Sequence, residues 1–327
     1  MMDSTEFILL AGFLGSGKTS LLVDWLGLPD AANTAVIVNE AGEIDVDGAI
    51  VAEGGTLPMA MLANGCVCCS MTSDLVFTVR ALIEERARAG HPPFARIVLE
   101  CSGLSRPGPI LRSLLPLAPL GLTVRVVSTC DASQAVQHAA YFEEVSAQLA
   151  AAGTIVLTKL DLSSAEAAAA LAASINPLAT CVVETDRTTR ARSAFRPAAV
   201  SGAMPEIAGS TAHPRVAVLR ATFTDAASWE DRLDWMEDLA AFCGDRLLRV
   251  KGFVRPPGST VPLLVQAVGS LFAPPLPMAG SPDLPEGLVV ITRDLGAAAL
   301  RGGMPSPLVR IAAMRESPLT CAPVAAT

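Results

Sequence analysis

Three of the chain's eight cysteines fall within four positions of the stretch NGCVCCS, Asn64 to Ser70. Thiols this close suit redox exchange, a structural metal clip, or a metal that is carried and handed on, and the cysteines alone leave all three open. As thiolates they select Zn²⁺, Cu(I) and other soft or borderline ions, with Co²⁺ and Ni²⁺ also possible. In an extended backbone Cys66 and Cys68 point to one side, and Cys69 joins them at a turn. Three thiolates leave a fourth position for a carboxylate, water or a partner's ligand, and an open position suits transfer better than permanent structure. Upstream, VNEAGEIDVDGA supplies Glu40, Glu43, Asp45 and Asp47 as candidates for Mg²⁺, for water positioning or for a second metal. The chain has only three histidines, at 91, 138 and 213, so no histidine-rich reservoir accompanies the thiols. Cys101, Cys130, Cys181 and Cys243 read as small core residues.

A second chemistry precedes the first. GFLGSGKT, Gly12 to Thr19, matches G-x-x-x-x-G-K-[ST] without a gap, between an apolar strand and a helical pattern. Gly12, Gly15 and Gly17 admit backbone conformations denied to other residues, so the loop presents N–H groups to phosphate oxygens. The helix start adds its positive end. Lys18 reaches β- and γ-phosphates in such a loop, and Thr19 offers its hydroxyl to Mg²⁺.

Two strand ends complete the site. RIVLECSG ends in Glu100, positioned like a carboxylate that binds Mg²⁺ through water, with Gly103 placed to donate its N–H to a γ-phosphate and lose that contact on hydrolysis. TKLD, Thr158 to Asp161, sets a carboxylate where it accepts from guanine's N1–H and exocyclic amine, a pairing adenine lacks. The methylene stem of Lys159 lies along the base in this reading. Thr158 stands where the usual guanine motif has Asn. The cysteine run falls between NEAGE and ECSG, two segments expected to respond to the γ-phosphate.

The elements that position these residues follow a βα alternation. Apolar runs at 7–11, 34–40, 96–101, 124–131, 154–161 and 181–185 predict buried parallel strands. Helices are expected at 18–27, 74–89, 107–115, 141–151 and 164–175. This is a doubly wound α/β domain over 1–186. Residues 187–213, with arginines at 187, 190, 192 and 196, read as a linker. A smaller α+β domain follows over 214–303, with strands at 215–223, 246–254, 260–268 and 287–292, a helix at 228–242, a second short helix after Asp294 and a Pro-rich loop at 273–286. A tail covers 304–327. A length of 327 residues fits two domains, and 51% hydrophobic content excludes global disorder. The net charge of −8 argues against gripping a nucleic-acid backbone. No signal peptide or membrane-spanning run is seen, so a cytoplasmic location with reduced thiols is expected.

In their order, GFLGSGKTSLL, VIVNEAGEIDVDGA, NGCVCCS with Asp74-Leu75, VLECSGLSRP and TKLDL resemble the CobW-like P-loop GTPases. RLLRVKGFV and LVVITRDLGAAAL look like that family's C-terminal domain. The resemblance covers about 1–300 and implies a SIMIBI-type GTPase with a role in metal trafficking or metallocofactor insertion. It implies Zn²⁺, Co²⁺ or a related ion at Cys66, Cys68 and Cys69. Gly15, Ser16, Gly17, Lys18, Thr19 and Ser20 carry over as phosphate and Mg²⁺ contacts, and Lys159 and Asp161 as base contacts. The histidine-rich loop of some members is absent, which argues against metal storage. The expected activity is GTP hydrolysis coupled to delivery of the metal to a client metalloprotein or cofactor pathway, with a homodimer possible. The rival readings are a small-molecule kinase and a GTP-binding scaffold with structural zinc.

Overall fold

The computed structural model describes residues 5–38, 59–61, 71–196, 213–279 and 283–314. Two compact units divide the chain, one formed by Met1–Ala169 with Ala179–Ala198 and the other by Ala170–Leu178 with Ala199–Thr327.

In the first unit, FILLA forms the centre of β1 (Glu6–Gly12) and is almost completely buried, because a central parallel strand is covered on both faces. Seven strands lie in the order β3-β2-β4-β1-β5-β6-β7. The others are β2 (Thr34–Val38), β3 (Met59–Met61), β4 (Arg96–Glu100), β5 (Thr123–Asp131), β6 (Thr154–Thr158) and β7 (Thr180–Val182). Every pairing is parallel. The chain moves from β1 to one side for β2 and later returns to pair β5 on the other side. That reversal opens a crevice at the carboxyl ends of β1, β4, β5 and β6, where ligands bind in open α/β sheets.

Helices α1 (Lys18–Leu26), α2 (Met71–Arg88) and α3 (Pro107–Ser113) match the expected positions within a few residues. The helix expected over 141–151 is α5 (Glu143–Ala151), and a further helix that was not expected, α4 (Ala135–Tyr141), precedes it across the extended Phe142. Phe142 leaves the helical path and packs its ring 4.8 Å from that of Phe13. The last of the expected five is α6 (Glu166–Ile175).

The reading of 187–213 as linker needs correction. Arg187–Phe195 is a helix, α7. Asp186 caps its start by accepting from the Thr189 N–H at 2.8 Å, and the Arg125 guanidinium closes its end by donating to the carbonyls of Ala194, Phe195 and Arg196. Ala191, Ala194 and Phe195 form a narrow buried stripe, and the Phe195 ring stacks on Trp25 at 4.3 Å. Arg187 pairs with Asp24 at 2.6 Å and Arg192 with Asp30 at 3.0 Å, so these arginines hold the helix to α1 and the turn after it.

The second unit is built on an antiparallel sheet, β11-β10-β9-β13-β8-β14, with β12 also pairing β10. Its strands are β8 (Val216–Phe223), β9 (Leu247–Val254), β10 (Leu263–Val268), β11 (Leu271–Phe272), β12 (Leu276–Pro277), β13 (Gly287–Arg293) and β14 (Val309–Ala313). Helix α8 (Trp229–Cys243) opens on a capping box between Ser228 and Asp231 and buries Trp235, Met236 and Leu239. A short helix, α9 (Ala297–Gly303), adds Leu300. β12 falls inside the expected loop of 273–286. β14 falls inside the expected tail of 304–327, because Ile311 turns inward while Arg310 and Ala312 stay exposed. That alternation suits an edge strand with one face buried. Among the described residues, no helix is long and apolar enough to cross a membrane.

Candidate functional site

The chain leaves β1 at Gly12, whose φ of 144° only glycine adopts readily. A side chain there is also excluded by space, since a Cβ would lie 2.1 Å from Thr129 Oγ1. The Ser16 N–H donates to the Phe13 carbonyl at 3.1 Å and rounds the loop. Gly17, at φ 87°, is the N-cap of α1 and brings no capping side chain. The helix's positive end is thus delivered to the loop by backbone alone, which is the requirement for holding a phosphate. The buried Ser16 hydroxyl lies 2.6 Å from Thr129 Oγ1 on β5, fixing the loop to the sheet. Lys18 Nζ donates to the Phe13 carbonyl at 3.3 Å.

Thr19 Oγ1 donates to Glu100 Oε1, which joins the first turn of α1 to the end of β4. Both are hard oxygen donors and Glu100 is 7% exposed, a donor set that fits Mg²⁺ with retained waters. Beyond Glu100 the chain turns back against the phosphate loop. A Cβ on Gly103 would lie 2.6 Å from Leu14 N, so glycine is what permits the contact. Ser20 belongs to the same first turn of α1.

On the other side, Thr158 at the end of β6 is 5% exposed. Its hydroxyl donates to the Ser16 carbonyl at 2.8 Å and lies 3.3 Å from the Cys130 carbonyl. Lys159 follows with a left-handed φ of 54° and pairs with Asp131 Oδ2 at 2.7 Å. Asp131 also accepts from the Ser133 N–H and hydroxyl. Burial pushes the Asp131 carboxyl upward, but the Lys159 ammonium and the Ser133 hydrogen bonds outweigh it and hold the group below its ordinary range. Asp161 lies exposed in the turn after β6.

The sheet edge therefore gathers Gly12, Gly15, Ser16, Gly17, Lys18, Thr19 and Ser20 with Glu100, Gly103, Thr158 and Lys159. Glu40, Glu43, Asp45, Asp47, Cys66, Cys68 and Cys69 lie outside the described residues. Among the described residues, no three His, Cys, Asp or Glu side chains converge as a metal set. Cys101, Cys130 and Cys243 are buried. Burial raises all three thiols, that of Cys130 to about 12 and that of Cys243 to about 11, so they pack as neutral side chains. Cys181 is exposed on the edge strand β7, contrary to the expectation of a core position.

Sequence reasoning missed Asp131, Thr129 and Gln148. Asp131 carried a usable signal, an acid at the carboxyl end of a buried strand. Gln148, on α5, donates to the carbonyls of Gly103 and Ser105, and its place in an ordinary helical run gave none.

Residues 6–182 match the family described as CobW/HypB/UreG, nucleotide-binding domain, and residues 217–306 match the cobalamin synthesis protein cobW C-terminal domain. The chain is 31% identical over 286 residues to the zinc chaperone YjiA of Escherichia coli K12, covering 83% of this chain and 88% of that protein. It is 30% identical over 305 residues to a zinc chaperone CobW of Sinorhizobium, covering 80% and 84%. The crystal structure of Zn(II)-bound YjiA GTPase from E. coli superposes with a TM-score of 0.64 at 24% identity, over 91% of this chain and 97% of that one. With the P-loop fold, the separate antiparallel C-terminal sheet and both family matches in place, the chain belongs to the CobW/HypB/UreG family of P-loop nucleotide-binding proteins.

Proposed function

We propose that this chain is a GTP-hydrolysing metallochaperone that carries Zn²⁺, or a related ion such as Co²⁺, on Cys66, Cys68 and Cys69. The observation that carries the reading is the junction of Thr19 and Glu100 at the mouth of the phosphate loop. A hydroxyl and a carboxylate of the kind that hold Mg²⁺, met at the end of the strand that follows the cysteine segment, support the reading. Names of relatives as zinc chaperones support the metal side of the reading. Gly12, Gly15, Ser16, Gly17, Lys18, Thr19 and Ser20 would hold the phosphates, Thr19 and Glu100 the Mg²⁺, and Gly103 the terminal phosphate through its N–H. Thr158, Lys159 and Asp161 would hold the base. Glu40 and Glu43 are proposed as carboxylates next to the thiolates or the Mg²⁺. The C-terminal α+β domain is the proposed surface for a client metalloprotein or a second copy.

Loss of the terminal phosphate would relax the loop at Gly103 and alter metal affinity, releasing the ion to its client. Linkage requires that metal change GTP affinity by the factor that GTP applies to metal binding. Competition against a chelating dye in the apo, GDP and GTP-analogue states tests this. Metal affinity should differ between nucleotide states, and Cys66→Ala should abolish metal binding while GTP binding persists. Equal affinity in all three states sinks the switch. Turnover that depends on an added acceptor points to a kinase, and unfolding on chelation to a structural zinc.

A further inference from the structure

Resting on that nucleotide-switch reading, we propose that Gln148 is a positioning residue that sets the loop after β4 and so lets the protein tell a nucleoside triphosphate from a diphosphate. Gln148 is 1% exposed on α5. Its side-chain nitrogen donates to the carbonyls of Gly103 and Ser105, each at 2.9 Å. Both partners are acceptors, so only the amide's NH₂ end can serve, and the group's orientation is fixed. Arg106, the next residue of the loop, pairs with Glu143 at 3.1 Å and Glu144 at 2.9 Å in the first turn of α5. One helix thus grips the loop at positions 103, 105 and 106.

The same helix is tied to the phosphate loop. Phe142, immediately before it, packs on Phe13, and Gly103 packs on Leu14. A displacement of the Gly103 backbone toward a terminal phosphate is therefore felt at Gln148 and at the start of α5. The joint also holds a matched pair of buried groups with no hydrogen-bond partner among the described residues, the Gln148 carbonyl oxygen and the Ser105 hydroxyl. One is an acceptor and the other can donate, so a hydrogen bond between them would satisfy both. The unused acceptor and donor would let a moved loop gain a bond in place of one it loses, which is what a switch needs.

The test uses the full chain with Mg²⁺, GDP and a non-hydrolysable GTP analogue. Gln148→Leu removes the donor and keeps an apolar side chain of related length. It should leave GDP affinity within about twofold of wild type and reduce the preference for the analogue by about fivefold or more, the scale of one or two lost hydrogen bonds. Amide exchange at 102–106 should accelerate. Arg106→Gln, a change on the partly exposed side of the same grip, should move both readouts in the same direction by less. Unchanged preference and exchange in Gln148→Leu overturn the proposal. So does equal loss of both nucleotides with a lowered melting temperature while Arg106→Gln is silent, because Gln148 is then only a core residue. Wild-type protein that binds neither nucleotide would instead overturn the underlying GTPase reading.

Discussion

The hydroxyl of Thr158 donates to the carbonyl of Ser16 at 2.8 Å across 142 residues of sequence, and so ties the segment that would read the base to the loop that would hold the phosphates. The same oxygen lies 3.3 Å from the Cys130 carbonyl, which brings the end of β5 into the joint. A hydroxyl in the place of the usual Asn thus still fastens the two loops. It does so from a buried position, where water does not compete.

Thr158→Val replaces that hydroxyl by a methyl group of the same shape and leaves the Ser16 carbonyl without its donor. The expected cost is about 1–3 kcal/mol of stability in the first unit, the penalty of an unmet buried acceptor. Guanine-nucleotide affinity should fall with it, because the phosphate loop loses its tie to β6. Urea denaturation and fluorescent-nucleotide titration check the two effects. Wild-type values for both would show that the bond is incidental.

Gly12→Ala places a methyl group 2.1 Å from Thr129 Oγ1 and 2.7 Å from Ser16 Oγ, at a φ of 144°. The loop must move, at a strain on the order of 1–3 kcal/mol. Nucleotide affinity should drop by about tenfold or more, with the circular-dichroism spectrum retained. Gly15→Ala is the informative contrast, because nothing lies within 4 Å of its added Cβ and only its φ of 67° opposes the change. If both variants bind as wild type does, the loop is not the phosphate site.

The phosphate loop was legible because its demand is local, with glycines, a lysine and a threonine in one unbroken run between strand and helix. Glu100 and Thr158 were legible for a related reason, since each closes a buried apolar strand and such strands end at the crevice of a parallel sheet, and Gly103 follows Glu100 by three residues. Gln148 was hidden because its role is set by a loop more than 40 residues away in sequence, at Gly103. Phe142 was hidden because no proline or glycine marks the break between α4 and α5; a tertiary contact with Phe13 imposes it. Helix α7 was masked by its arginines, whose partners, Asp24 and Asp30, lie more than 160 residues earlier.

Phe195→Ala tests that last correction. Phe195 is 2% exposed and stacked on Trp25, so truncation should cost about 3–5 kcal/mol, as for other buried aromatics. Arg192→Ala breaks only an ion pair with both partners about half exposed, and should cost about 0–1 kcal/mol. Chemical denaturation of the full chain carrying Trp229→Phe and Trp235→Phe, so that Trp25 is the one fluorescent tryptophan, separates the two. A small loss for Phe195→Ala would return 187–195 to the status of a linker.

Asp131→Asn tests the pairing of Asp131 with Lys159 by its pH dependence. The folded carboxyl is held below its ordinary 3.8, since the Lys159 and Ser133 interactions overcome the burial that would raise it. A carboxyl depressed on folding stabilises the protein above its unfolded pKa, and that stabilisation is lost as pH falls through the folded value. Wild type should therefore exceed the variant in stability by a constant amount from pH 7 down to about 5, where the carboxyl is ionised in both the folded and unfolded states. The gap should then narrow below 3.8 and close once the folded carboxyl is protonated. Urea titrations at successive pH values measure it directly. At neutral pH the variant should also bind guanine nucleotide more weakly, because Lys159 loses the partner that holds it in its left-handed turn. A stability gap that persists undiminished at pH 2 would assign the stabilisation to packing around Asp131 and not to its charge.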